Sequence, residues 1–180
     1  QAGGRGAGVL DKQIAEVATM RFHDGDEWMD SANYNERFPG GGGGDVIAPG
    51  PEPIASQQVW DDWGRFALAA AKAGAPAQLH SVTTIAIGEQ ITQLEKISKE
   101  VNLRPLRWAF MHMEGVTPEQ VLRMKKLNMF IAVNPRPVVS GGLLHRIQGE
   151  KANAMPPMRE IQDSGIMWGF GTDAFEVNQF

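Results

Sequence analysis

The chain has 180 residues, 42% apolar and 21% charged, with a formal net charge of −4, an ordinary globular balance that gives no electrostatic reason to expect nucleic acid. It contains no cysteine, which excludes disulfides, thiolate catalysis and cysteine-bound metal and leaves His, Asp and Glu as the available metal ligands. No apolar run approaches the ~18 residues that span a bilayer, so no membrane partner is expected and the cytoplasm is the expected compartment.

The glycine-rich stretch Gln1 to Val9 reads as loose. Leu10, Ile14, Val17, Ala18 and Phe22 then recur at helical spacing and predict a helix over Asp11 to Arg21. Trp28 to Phe38 has no clean period. Gly40 to Gly44 is a run of glycines followed by Pro49, Pro51 and Pro53, too free in its backbone and too poor in donors for regular structure. It lacks the strand, helix and Lys-Ser/Thr end of a phosphate-cradling loop, so a flexible loop is the expectation. Residues 1–56 are thus set apart as an N-terminal helix, a polar segment and a Gly/Pro-rich loop, and 57–180 as the regular α/β part.

From Gln57 the pattern sharpens. Val59, Trp60, Trp63, Phe66, Ala67 and Ala70 mark one helix face that ends at Gly74, with Pro76 just beyond. A strand closing on His80 follows, and Ile87, Ile91, Leu94, Ile97 and Val101 mark a second helix. Arg107 to His112 is the next strand. Thr117-Pro118-Glu119-Gln120 is a capping box with proline at the first helical position, opening a helix whose buried face is Val121, Met124 and Leu127. Met129 to Val133 is a third strand, ending at Asn134-Pro135. A Pro- and Gly-rich connection leads through Met155-Pro156-Pro157-Met158 to a short helix that Gly165 terminates, and a last strand runs to Asp173. Strand and helix in alternation, with no hairpin signal, predict a parallel sheet with covering helices.

In a parallel barrel, metal ligands and catalytic groups sit at the C-terminal ends of the strands. His80, His112 and Asp173 close three of these strands. Imidazole suits borderline divalent metals, a bound metal lowers the pKa of its water towards ~7, and a carboxylate can orient that hydroxide and move its proton. Singly, each residue has a plain structural reading, as a hydrogen-bonding strand end or a turn aspartate; their joint placement points to a site. Asn134 and His145 are the substrate-contact candidates, whereas Glu114 and Asp163 read as ordinary loop or helix-end charges. The tryptophans read as packing, and no serine lies in a nucleophile elbow.

From about Trp28 onward the chain resembles the amidohydrolase superfamily, and within it the metal-dependent hydrolases of amidohydrolase family 3. The resemblance rests on Gly25-Asp26-Glu27-Trp28, on Trp60-Asp61-Asp62-Trp63 leading to Ala75-Pro76-Ala77-Gln78-Leu79-His80, on Arg107-Trp108-Ala109-Phe110-Met111-His112, and on Gly169-Phe170-Gly171-Thr172-Asp173-Ala174. It implies that His80 and His112 are metal ligands from the fifth and sixth strands of a TIM-type barrel, and that Asp173 is the eighth-strand ligand and proton shuttle. Glu36 falls where the family carries a carboxylated lysine or a glutamate bridging two metals. The implied cofactor is one or two divalent ions, zinc above all.

Three departures accompany the resemblance. The family's first-strand His-x-His pair is absent from this sequence, and Met111 stands where relatives often carry Glu. The chain begins with Gln and stops at Phe180, before the family's closing helix and small β-domain, so an incomplete barrel covering roughly the last four strands of a longer protein is expected. The leading expectation is a metal-dependent amidohydrolase that cleaves C–N, amide-like bonds of a small-molecule substrate through a metal-activated hydroxide. A non-catalytic α/β half-barrel that binds or assembles is the alternative, its open edges relieved by a second copy or by a missing barrel half. A metal-dependent lyase on the same scaffold is a third. Met113, Val138 and Leu143, in or beside the loops after the strands, suggest a substrate other than a sugar.

Overall fold

Each apolar run between helix signals becomes a strand of only three or four residues. The computed structural model describes residues 7–19, 54–134 and 141–171. Its elements are α1 (Ala7–Thr19), α2 (Gln57–Ala73), β1 (Gln78–Ser81), α3 (Thr84–Ile97), β2 (Ala109–His112), α4 (Pro118–Lys126), β3 (Phe130–Val133), α5 (Gly141–Gln148), α6 (Met158–Ser164) and β4 (Trp168–Phe170). Short 3₁₀ turns lie at Arg104–Leu106 and Gly149–Ala154. Glu36, Asp173, His23, Gly40 to Gly44, Gly25 to Trp28 and Ala174 to Phe180 lie outside the described residues, as do Pro135 to Ser140.

The strands form one parallel sheet in the order β1-β2-β3-β4. Sequential order without reversal, with a helix between successive strands, is the pattern of a (β/α) barrel wall. The helices lie against one another in turn: α1 on α2, α2 on α3, α3 on α4, and α4 on α6.

Side chains alternate across this sheet in matched rows. Leu79, Phe110, Ile131 and Trp168 are in register, and the first three are buried beneath the helices. There they meet Ile87, Ile91 and Leu94 of α3, Val121 and Met124 of α4, and Ile161 of α6, all essentially inaccessible to solvent. Removing such a side chain to alanine costs about 2 to 5 kcal/mol. The opposite row is His80, Met111, Ala132 and Gly169, of which His80 is buried and the other three are half-buried to exposed. Gln78 and Phe130, on the same face, are also half-buried. Among the described residues, this face carries no helix layer.

Local sequence explains where the helices start and stop. Gly74 and Gly165 take left-handed backbone (φ 77 and 69) just past α2 and α6, where a side chain would strain. At α4 the Thr117 hydroxyl accepts from the Gln120 backbone N–H and the Thr117 N–H donates to the Gln120 side chain, both halves of the capping box. Trp108 is 1% exposed and donates from Nε1 to the Ala75 carbonyl at 2.6 Å. Leu10 and Ile14 pack α1 against the main core, with an exposed Arg65–Asp11 ion pair at 2.7 Å along the rim. Asp11 raises the guanidinium pKa of Arg65 through its hydrogen bond, with Asp62 adding to it.

Three expectations need correction. The connection after β3 includes a helix, α5, whose Leu144 packs with Val82, Ala152 and Met155 in a small cluster apart from the main core. Gly141 and Gly142 and a single buried contact hid it. Glu114 is not an ordinary loop charge: it is only 4% exposed, because the backbone after β2 runs directly against the loop after β1. Met113 is wholly buried within the core, so it cannot report on the substrate.

Candidate active site

His80 and His112 are brought together, but not in the way simple alternation predicts. The register pairs His80 with Met111 and Ser81 with His112, so the two histidines are one residue out of step. Ser81 points to the helix side, its hydroxyl 2.6 Å from Oε1 of Gln90 on α3, and strict alternation would send His112 the same way. It does not go. His112 and Met113 both have left-handed backbone, φ 71 and 70, a conformation unusual for non-glycine residues. The extended geometry ends there, and the His112 ring meets the His80 ring edge to face, with centroids 4.3 Å apart and planes at 84°.

Backbone bonds between the two loops hold this departure from the strand. Met113 N–H donates to the Ser81 carbonyl at 2.9 Å, and Gly115 N–H to the Val82 carbonyl at 2.8 Å. Thr84 Oγ1 donates to the Gly115 carbonyl at 2.7 Å. Gly115 is required here, since a Cβ on it would lie 2.7 Å from the Thr84 nitrogen and 2.8 Å from the Val82 oxygen. From α4, Gln120 Nε2 donates to the Thr84 carbonyl at 2.9 Å. The paired imidazoles therefore stand on a braced pair of loops.

The surroundings are nearly dry. His80 and His112 are 8% and 7% exposed. Asn134, the first residue past β3, is 5% exposed and places Nδ2 3.4 Å from His112 Nδ1. Asn134 also lines a cleft of about 460 Å³ at the C-terminal ends of β3 and β4, walled by Val133, Met155, Pro156, Met158 and Phe170 with Arg159 at its polar side. An apolar cavity with a few convergent polar groups is the usual form of a small-molecule site. His145 sits elsewhere on α5, half-exposed and 3.4 Å from Glu150, and is not among the residues lining the cleft.

The donor pair suits a borderline divalent ion: two neighbouring neutral-capable imidazoles at strand ends. Among the described residues no group of three or more His, Asp or Glu is gathered closely enough to hold a metal. This part of the chain offers two donors, and any carboxylate ligand would come from the undescribed residues, where Asp173 and Glu36 lie. Sequence reasoning missed the burial of Glu114; its only signal was the position two residues beyond a strand-ending histidine.

A family model described as an amidohydrolase family matches residues 17–180. Two solved structures are similar. One is an uncharacterized metal-dependent hydrolase from Pyrococcus furiosus, 20% identical with a TM-score of 0.52, the match covering 64% of this chain and 23% of that one. The other is an uncharacterized metal-dependent hydrolase from Pyrococcus horikoshii OT3, 18% identical with a TM-score of 0.53, covering 64% and 22%. At such identities the likeness is one of fold. The chain spans less than a quarter of the length of either structure. No curated protein matches it.

Proposed function

Because the chain belongs to the amidohydrolase family, we propose that it forms part of the catalytic barrel of a metal-dependent hydrolase acting on C–N, amide-like bonds of a small molecule. The observation that carries this reading is the edge-to-face contact of His80 and His112 at the C-terminal ends of adjacent parallel strands. Strand ends of this kind are where barrel enzymes do their chemistry. When bound, one or two divalent ions, zinc in our reading, would supply a water acidified toward neutral pH.

His80 and His112 would hold the metal, with Asp173 and Glu36 as the carboxylates that complete its ligand set. Asp173 takes a proton from the attacking water and returns it to the departing nitrogen, so the amine leaves neutral. Asn134 and the apolar cleft bind the substrate beside the imidazoles, whereas His145 lies outside the cleft lining and takes no part in that surface. Burial of both rings keeps competing water away and strengthens every charge interaction made there.

The half-exposed sheet face and the exposed Phe170 favour a covering partner, either the rest of the barrel or a second copy of the chain. No helix among the described residues is long and apolar enough to cross a membrane, and we place the protein in the cytoplasm. Elemental analysis of the purified full chain, with His80→Ala and His112→Ala, tests the central claim. Wild type should retain metal through desalting and each variant should lose it while keeping its helical circular dichroism. Equal metal content in all three, or robust hydrolysis by metal-free protein, would refute it.

A further inference from the structure

Asn134 does more than line the cleft: its side-chain amide faces Nδ1 of His112 at 3.4 Å. A neutral imidazole carries one proton, and the group offered to one ring nitrogen decides which of the two carries it. With the amide nitrogen turned to the ring, Nδ1 accepts and the proton resides on Nε2. A half-turn of the amide about its terminal torsion puts Oδ1 there instead. Nδ1 then donates, the proton has passed from Nε2 to Nδ1 with no net change, and Nε2 presents a lone pair. Only this second arrangement leaves the remote nitrogen able to bind a cation.

We propose that Asn134 is a positioning residue that sets the tautomer of His112, its carbonyl-inward orientation readying Nε2 for a divalent ion. This rests on the reading of His112 as a ligand. Partners of this kind on ligating histidines govern ring orientation and basicity, and losing one weakens metal binding by about 10- to 100-fold. Aspartate at 134 offers acceptors only and holds Nδ1–H permanently. Leucine offers neither group and removes this partner from Nδ1.

The test is long-range ¹H–¹⁵N NMR of the imidazole nitrogens in the full chain, recorded where the rings are neutral, with Zn(II) affinity measured by chelator competition. In metal-free Asn134→Asp, His112 should be Nδ1–H, and its Zn(II) affinity should equal or exceed that of wild type. Asn134→Leu should shift His112 away from the Nδ1–H tautomer and bind Zn(II) about 10- to 100-fold more weakly. Should Asn134→Leu fail to fold, the near-isosteric Asn134→Asp decides alone. An Nε2–H tautomer of His112 in folded Asn134→Asp, or His112 nitrogen shifts in folded Asn134→Leu equal to those of wild type, overturns the proposal. If wild type binds no Zn(II), the metal reading fails, while the nitrogen shifts still decide whether Asn134 directs the ring.

Discussion

The side-chain amide of Gln90 supports His80 from below: Nε2 donates to the His80 carbonyl at 3.1 Å, while Oε1 accepts from the Ser81 hydroxyl at 2.6 Å. Gln90 is wholly buried on α3, so this bond ties a covering helix to the strand that carries the first imidazole. Gln90→Leu strands a buried carbonyl at His80 and should lower stability by about 1 to 3 kcal/mol. Urea denaturation of the full chain measures the loss, and a midpoint equal to wild type would show that the amide has no supporting role.

A methyl group at position 115 would collide with backbone, not with a yielding side chain, at 2.7 Å from Thr84 and 2.8 Å from Val82. Gly115→Ala should therefore push apart the loops behind the two histidines, costing about 1 to 3 kcal/mol and weakening whatever metal affinity the chain has. Gly142 is the control. It lies in α5 with open space around it, and Gly142→Ala should gain up to about 1 kcal/mol from helix propensity. Thermal denaturation of the pair separates the two effects.

Arg123 grips Glu95 with two hydrogen bonds, Nε at 2.9 Å and Nη2 at 2.8 Å, joining α4 to α3. The hydrogen bond to Arg123 chiefly, with the Arg123, Lys126 and Lys99 charges, holds the Glu95 carboxyl below its ordinary range. A lowered folded-state pKa stabilises above the unfolded value, near ~4.3. That stabilisation drains away as pH falls through the lower folded value. Both partners are partly exposed, so a double-mutant cycle with Arg123→Ala and Glu95→Ala should give a coupling of about 0.5 to 1 kcal/mol at neutral pH, reduced by salt. Coupling that persists in acid, where Glu95 is protonated, would rule out the ion pair as its source.

Much of this arrangement was legible because it depends on local rules. Gly74, Gly165 and the Thr117–Gln120 box announce helix ends through backbone freedom and short-range hydrogen bonds, and strand and helix signals in alternation point to a parallel sheet. The pairing of His80 with His112 was foreseen only in outline. Strict two-residue alternation sends His112 toward the helices, and the left-handed turn at His112 and Met113 that redirects it leaves no mark in residues that normally avoid such backbone. Glu114 was misread for the same reason, since its burial follows from the approach of two loops far apart in sequence. The α5 helix escaped notice because only Leu144 of its residues is buried, too little to impose a period.

Val82 and Leu144 belong to a cluster of their own, and with Ala152 and Met155 they attach residues 141–155 to the C-terminal rim of the sheet. Their union is small beside the main core, so this flap has its own, lower opening free energy. Amide exchange in this segment should accordingly run ahead of exchange in the strands and their covering helices.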